Sequence, residues 1–277
     1  MHWSNSYRER VCANLGIITE VEQERLRCAC VGVAGCGGIG GRAAADLAYW
    51  GVGHIKLADF DVFDASNANR QLYAASSTVG KAKIQVVANN VKDISPDIRL
   101  ELYEQGITLE NADEFVDGCD TVLDAIDYES PKYSLAVHRS ARLRGIPVFV
   151  SQCIGFGASM FAFYPDAESY EEFLGLDQAV SLVDLDVRDI DLRKLCPLTP
   201  EYIDPVLLDR VVRGEVEAPA VVAGQTIAVG LTVTEMVIQL SKRGTRQPLR
   251  MCAFDALTTT YTKSYESPLG DRDDRGT

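Results

Sequence analysis

Cys30-Val31-Gly32-Val33-Ala34-Gly35-Cys36-Gly37-Gly38-Ile39-Gly40, with Asp59-Phe60-Asp61 about 20 residues further on, decides how this chain folds. The first five residues are small and apolar and read as a buried strand. The glycines that follow allow a tight turn and a close backbone approach to phosphate. A helix of small and apolar residues is expected from about Arg42 to Trp50, and a second strand from His54 to Ala58. The helix N-terminus would offer free N–H groups and a positive dipole end to an anion. Asp59 and Asp61 end the second strand, where a carboxylate can accept ribose hydroxyl hydrogen bonds. Strand, turn, helix, strand and acid agree on a nucleotide-binding βαβ unit. They do not choose the nucleotide, and NAD with an oxidoreductase activity is the usual default.

The residues after Asp61 argue against that default. Val62 to Gln71 is a polar segment beyond a strand's carboxyl end, which is where ligands bind in open α/β sheets. Its amides and Arg70 suit phosphate and base recognition. Thr78-Val79-Gly80-Lys81-Ala82-Lys83 is expected to open a helix running to about Ile94. Lysine there has the wrong sign for the helix dipole, a conflict that a bound polyphosphate would relieve. Thr121 to Asp127 reads as a buried strand ending in acids, with a helix from about Pro131 to Arg144. Asp127 could cap that helix. It could equally face the glycine turn, where a carboxylate beside polyphosphate calls for a bridging Mg²⁺.

The other strands expected are Arg99–Tyr103, Ile146–Val150, Ser159–Tyr164 and a late hairpin of Arg250–Ala256 with Thr259–Tyr265. Helices are expected over Glu20–Arg27, with Thr19 as N-cap, over Pro205–Arg213, and over Val221–Leu240, an apolar stretch suited to core packing. Residues 1–25 read as an arm and helix, with Arg8 and Arg10 solvated. Residues 165–200 are acidic, irregular and too long for an ordinary connection, so a lid or a partner-facing insertion is expected. Residues 266–277 read as a flexible tail.

The 277 residues carry a net charge of −13, which disfavours broad binding to nucleic acid or anionic membranes. The eight cysteines show no C-x-x-C spacing, so no structural zinc is expected. They read as reduced thiols of a cytoplasmic protein. No apolar signal core and no run of membrane-spanning length is expected.

Five blocks now stand in order: Gly35-x-Gly37-Gly38-x-Gly40, Asp59-Phe60-Asp61, Ser66-Asn67-Ala68-Asn69-Arg70-Gln71, Gly80-Lys81-Ala82-Lys83 and Asp124-Ala125-Ile126-Asp127. Together they resemble the ThiF/MoeB/HesA family, which shares the adenylation fold of ubiquitin-activating E1 enzymes. The resemblance is strong over roughly residues 7–165 and looser over 200–260. It implies an α/β fold, a Rossmann-like doubly wound and mainly parallel sheet with a C-terminal antiparallel portion, spanning residues 26–265. It implies ATP-dependent activation of a carboxylate as an acyl-adenylate, with Mg²⁺, in a homodimer. The acyl donor would be a carrier-protein or peptide C-terminus, or a small molecule.

Carried across by residue, Gly38 would lie along the phosphates and Asp59 would hold the ribose. Asn67, Arg70 and Gln71 would contact phosphates, Lys83 would be the catalytic lysine and Asp127 would hold Mg²⁺. Arg10 stands near the position of an arginine that reaches into the neighbouring subunit's site. Cys196, beside Arg193 and Lys194, is a candidate for an acyl thioester. Two departures stand out. The family's two C-x-x-C pairs are missing, and Tyr128 stands where asparagine is common. Asp124 to Asp127 followed by Pro131-Lys132 is similar to the branch that dehydrates threonylcarbamoyl-adenosine in tRNA, although this chain is strongly acidic.

Overall fold

The computed structural model describes residues 3–244 and 248–265. The chain begins with α1 (Asn5–Val11) and α2 (Glu20–Cys28), then runs through β1 (Cys30–Ala34), α3 (Gly40–Tyr49) and β2 (His54–Ala58). It continues with α4 (Lys83–Ile94), β3 (Arg99–Tyr103), α5 (Ala112–Val116), β4 (Thr121–Asp124), α6 (Pro131–Leu143) and β5 (Val148–Ile154). β6 (Gly157–Phe163), α7 (Tyr170–Leu174), α8 (Pro205–Val212), α9 (Val222–Ser241), β7 (Leu249–Asp255) and β8 (Thr260–Tyr265) complete the described elements.

The strands form one sheet in the order β3-β2-β1-β4-β5-β6-β7-β8. β3, β2, β1, β4 and β5 are mutually parallel, and β6, β7 and β8 extend the sheet antiparallel. All residues of β1 and β4 are buried, as expected for strands covered on both faces. One face carries Leu47, Val87 and Met236 from α3, α4 and α9, and the other carries Phe115 and Val137 from α5 and α6. Burying a side chain of this kind contributes about 1.5–3 kcal/mol each. The strand order reverses between β1 and β4, so a crevice opens beyond their carboxyl ends.

Four expectations change. The N-terminal arm is docked on one face, with Arg8 exposed as expected and Arg10 partly buried. Ser4 caps α1, and Tyr7 and Val11, one helical turn apart, are both buried. The Tyr7 hydroxyl donates to the Gly51 carbonyl at 2.8 Å, and the Gln23 amide donates back to it at 2.9 Å. Next, α4 starts at Lys83 and not near Thr78, because residues 80–83 pair with 61–63. Gly80 N–H donates to the Phe63 carbonyl, Phe63 N–H to the Lys81 carbonyl and Lys83 N–H to the Asp61 carbonyl, at 2.8, 2.9 and 2.9 Å.

Residues 165–200 hold a cluster of their own. Tyr170, Leu185, Ile190, Leu192 and Leu195 pack on Phe161 and Phe163. Finally, α9 is 20 residues long with a mean hydropathy of 1.2, enough by length and composition to span a membrane. It lies instead along β5 and β6, with Ala228, Val229, Val233 and Met236 fully buried. The tail expected at 266–277 falls outside the described residues.

Candidate functional site

The crevice at the β1/β4 switch is a cavity of about 270 Å³. Its floor is the glycine turn after β1. Gly35 adopts φ +101, and a side chain there would lie 2.4 Å from the Ala125 carbonyl oxygen, so only glycine lets the two strand ends meet. Gly35, Gly37 and Gly38 line the cavity. Gly40 does not. A Cβ on it would lie 1.8 Å from the Gly35 carbonyl oxygen, so this glycine closes the turn and makes no contact with a ligand.

Asp59 ends β2 against this turn. One carboxylate oxygen accepts from Cys36 N–H at 2.6 Å and the other from Asp61 N–H at 2.7 Å. Burial pushes its pKa up, partly offset by these two hydrogen bonds and by Lys83. Each oxygen keeps a second lone pair for a ligand hydroxyl. Asp61 also lines the cavity and pairs with Lys83, Nζ to Oδ2 at 3.1 Å. The paired strands 61–63 and 80–83 bring these two together. Lys83 is buried while Asp61 is half-exposed.

Between those strands, residues Ala65–Asn69 form a short 3-10 helix capped by Asp64. Asn67 closes that cap, its side-chain oxygen accepting Asp64 N–H at 3.1 Å, and it does not line the cavity. Its expected phosphate contact is therefore replaced by a structural one. Arg70 and Gln71, which follow the turn, do line the cavity. Arg70 donates to the Ser66 carbonyl and the Asn69 side chain and has no carboxylate partner among the described residues.

Asp127 faces the cavity from the loop after β4. Asp124 anchors that loop. It accepts Ile126 N–H at 3.1 Å, and it is held by Ser134 and by His138 at 3.3 and 3.2 Å. Near Asp127 the charge is negative. Burial, Asp127 and Glu217 together raise the pKa of Glu129. Among the described residues no group of three or more His, Cys, Asp or Glu is placed to hold a metal.

Two further candidates stand off this cavity: Cys196, and Arg10, which was expected to reach a neighbouring subunit's site. Arg10 does not line the cavity of its own chain. Its guanidinium is taken by Asp97 and by Ser95. Cys196 is also absent from the cavity wall, and burial pushes its thiol up to about 11, opposite to an activated nucleophile. Arg193 pairs with Asp209, and Lys194 stands at Gly175. Residues 165–200 likewise contribute nothing to the wall.

Other residues, not singled out by the motifs, do contribute. Phe60, Gly106 and Ile107 form one end, and Ser151, Gln152 and Cys153 at the carboxyl end of β5 form the other. Glu217, Ala218, Pro219 and Ala220 form a strap along the wall, and Gln225 enters from the first turn of α9. The strap is pinned at three points. Ala218 N–H donates to the Tyr128 hydroxyl at 2.8 Å, Asn69 Nδ2 to the Ala220 carbonyl at 2.9 Å, and the Cys153 thiol to the Val221 carbonyl at 3.6 Å. Burial raises the Tyr128 hydroxyl to about 12, so it stays protonated. The β5 residues could have been found from strand polarity. The strap, with no periodicity, gave no such signal.

The chain is 37% identical over 111 residues to the adenylyltransferase and sulfurtransferase UBA4 of Lodderomyces elongisporus, covering 40% of this chain and 24% of that protein. It is 38% identical over 129 residues to the tRNA threonylcarbamoyladenosine dehydratase of Bacillus subtilis, covering 46% and 50%. The matched stretch thus spans a quarter to a half of these curated relatives. Among solved structures, Escherichia coli MccB with ATP superimposes with a TM-score of 0.67 at 18% identity, over 90% of this chain and 67% of that one. The ThiF family model matches residues 10–271. The chain belongs to the ThiF family.

Proposed function

We propose that the chain is an ATP-dependent adenylyltransferase that activates a carboxylate as its acyl-adenylate and releases pyrophosphate. The observation that carries this reading is that Asp59, Arg70, Gln71, Lys83 and Asp127 meet the glycine turn in one cavity. A hydride-transfer site needs only the turn and Asp59, and would leave the two cations unused.

The substrate carboxylate is already ionised at neutral pH, so no base is required. Its oxygen attacks the α-phosphorus while the bond to the leaving pyrophosphate breaks. Negative charge builds on the phosphoryl oxygens, and Arg70 and Lys83 are the residues to stabilise it. Lys83 would exchange its half-exposed partner Asp61 for phosphate. Asp59, its oxygens oriented by two backbone N–H groups, would accept ribose hydroxyls. Asp127 suits Mg²⁺, which is commonly held by one or two carboxylates together with substrate phosphates, and which would neutralise charge on the leaving group. The reading includes a cytoplasmic homodimer, tested by sedimentation. It also includes a carrier-protein or peptide C-terminus or a small-molecule carboxylate as acyl donor.

A pyrophosphate-exchange assay with candidate carboxylates tests the chemistry. Lys83→Met should lower exchange by ~100-fold, equivalent to losing about 3 kcal/mol of transition-state stabilisation. Because Asp61 is half-exposed, the ion pair itself contributes no more than ~1 kcal/mol to stability, so the urea midpoint should move little. Undiminished exchange in Lys83→Met would sink the mechanism. The similarity to the tRNA dehydratase favours a second reading, in which the same activation is directed at a modified tRNA. It predicts ATP consumption stimulated by tRNA, against which the net charge of −13 argues.

A further inference from the structure

The side chain of Gln225 is more than nine-tenths buried and lines the cavity, yet its Oε1 has no hydrogen-bond partner. Gln71 is in the same condition: equally buried, on the same wall, its Oε1 also unpartnered. A buried amide without a partner is costly, and buried polar groups are normally satisfied. Both amides lie against the glycine turn. A Cβ on Gly38 would come within 2.6 Å of Gln225 Oε1 and 3.0 Å of its Nε2, and one on Gly37 would lie 3.8 Å from Gln71 Nε2. Two amides whose oxygens are without partners therefore bracket Gly37 and Gly38, the glycines that would approach phosphate.

The position of this bracket along the cavity identifies what it holds. β1 is the middle strand of the five parallel ones, with β2 and β3 on one side and β4 and β5 on the other. Phe60, Gly106 and Ile107, beyond β2 and β3, form the end suited to the base. Ser151, Gln152 and Cys153, at the end of β5, form the end left for the acyl group. The group that joins nucleoside to acyl group is the α-phosphoryl, and it belongs between them, over Gly37 and Gly38.

We propose that Gln225 is a substrate-contacting residue whose Nε2–H donates to a non-bridging oxygen of the α-phosphoryl group, opposite Gln71. The inference rests on the adenylating reading. In that step the carboxylate oxygen–phosphorus bond forms and the bond to pyrophosphate breaks. The leaving group takes the electron pair, and no proton moves. A neutral amide suits such a step. It can follow the phosphorus from ATP to acyl-adenylate without changing its protonation, and with its Oε1 unheld it can turn Nε2 to the oxygen.

The test is isothermal titration of the whole chain with adenosine, AMP and MgATP. Wild type is compared with Gln225→Leu, Gln225→Glu and Gln225→Asn, each first checked for folding by circular dichroism. Gln225→Leu should bind AMP and MgATP roughly 10–100-fold more weakly, the effect of losing one charge-assisted hydrogen bond, and adenosine as wild type does. Gln225→Glu should lose more, through like charge, and Gln225→Asn less. If Gln225→Leu does not fold, the ordering of the glutamate and asparagine variants carries the same comparison. Wild-type affinity for AMP in the variants, with adenosine still bound, overturns the role of Gln225 alone. Failure of wild type to bind adenosine or MgATP overturns the nucleotide reading, and this inference with it.

Discussion

The same substitution, glycine to alanine, should have opposite effects at two positions three residues apart in the turn after β1. At Gly40 the new methyl would lie 1.8 Å from the Gly35 carbonyl oxygen and 3.2 Å from the Ala125 side chain. Gly35 has no room to retreat. Its N–H is bonded to the Ala58 carbonyl at 2.7 Å, and the backbone of Ala125 lies close enough that even a Cβ on Gly35 would be 2.4 Å from its carbonyl oxygen. Overpacking of this kind costs ~3 kcal/mol. With about 2.1 cal/mol/K of unfolding entropy per residue, a 277-residue chain has roughly 0.6 kcal/mol/K, so Gly40→Ala should lower Tm by about 5 °C. At Gly37 the nearest atom to a new Cβ is 3.8 Å away, an ordinary contact, and φ is not positive. Gly37→Ala should leave Tm unchanged or raise it slightly, because alanine lowers the entropy of the unfolded chain. Its methyl would nevertheless stand in the cavity and hold phosphate off the backbone. Losing one charge-assisted hydrogen bond would weaken ATP ~10–100-fold. Thermal melts followed by circular dichroism, and calorimetric titration with MgATP, give the two readouts. If both variants lost stability alike, or if Gly37→Ala bound ATP as wild type does, the division of the turn into a closing glycine and a ligand-facing glycine would be refuted.

The strap should be loosened by the pair Tyr128→Phe and Asn69→Ala, which removes two hydrogen bonds of ~1 kcal/mol each; trypsin cleavage after the exposed Arg213 should then rise by about tenfold or more, and an unchanged rate would show that these bonds do not hold it. The docking of the N-terminus should depend on pH through Glu24, whose carboxyl is lowered from 4.5 to about 2 chiefly by hydrogen bonds from Arg27, with further help from Trp3. A depressed carboxylate contributes stability that is present above its unfolded value and lost as pH falls through the folded one, so Trp3 fluorescence in a Trp50→Phe background should change between about pH 4.5 and 2, and Glu24→Gln should abolish that change.

The parallel half of the sheet was legible because each of its signals is local. β1, β2 and β3 fall on the expected residues: β1 is a continuous buried apolar run followed by its glycine turn, β2 a mostly buried run ending in acids, and β3, at the sheet edge, a mixed polar–apolar strand. Thr19 with Glu22 forms the complete capping box that its spacing suggests. Arg70, Gln71, Lys83 and Asp127, picked out in the sequence, do line one cavity, because each follows the carboxyl end of a strand or opens a helix. Asn67 shows the limit of local reading: a polar residue in a ligand-side loop reads as a ligand contact, while here its side chain closes the loop's own cap and does not line the cavity. Cys196 was judged from its basic neighbours in sequence, which burial overrides, and Arg10 was placed by resemblance, while within its own chain it pairs with Asp97, remote in sequence. Gln225 was hidden in a helix whose composition speaks only of burial.

Charge in this protein is divided by depth, and that division bears on what the cavity accepts. The outer rim is acidic: burial, with Asp127 and Glu217 beside it, raises the cost of ionising Glu129, and burial with all three carboxylates nearby raises that of Tyr128. Further in, the wall carries Arg70 and Lys83 with the amides of Gln71 and Gln225, and with Asp59 and Asp61 beside Lys83. A triphosphate alone meets repulsion at the rim. Charge reduced by a divalent cation removes that repulsion while leaving oxygens for the two inner cations. A bare carboxylate entering from the strap side meets the same rim, and its single charge is repelled less than a polyphosphate's. The acidic rim therefore opposes free polyphosphate more than it opposes either reactant of the proposed step.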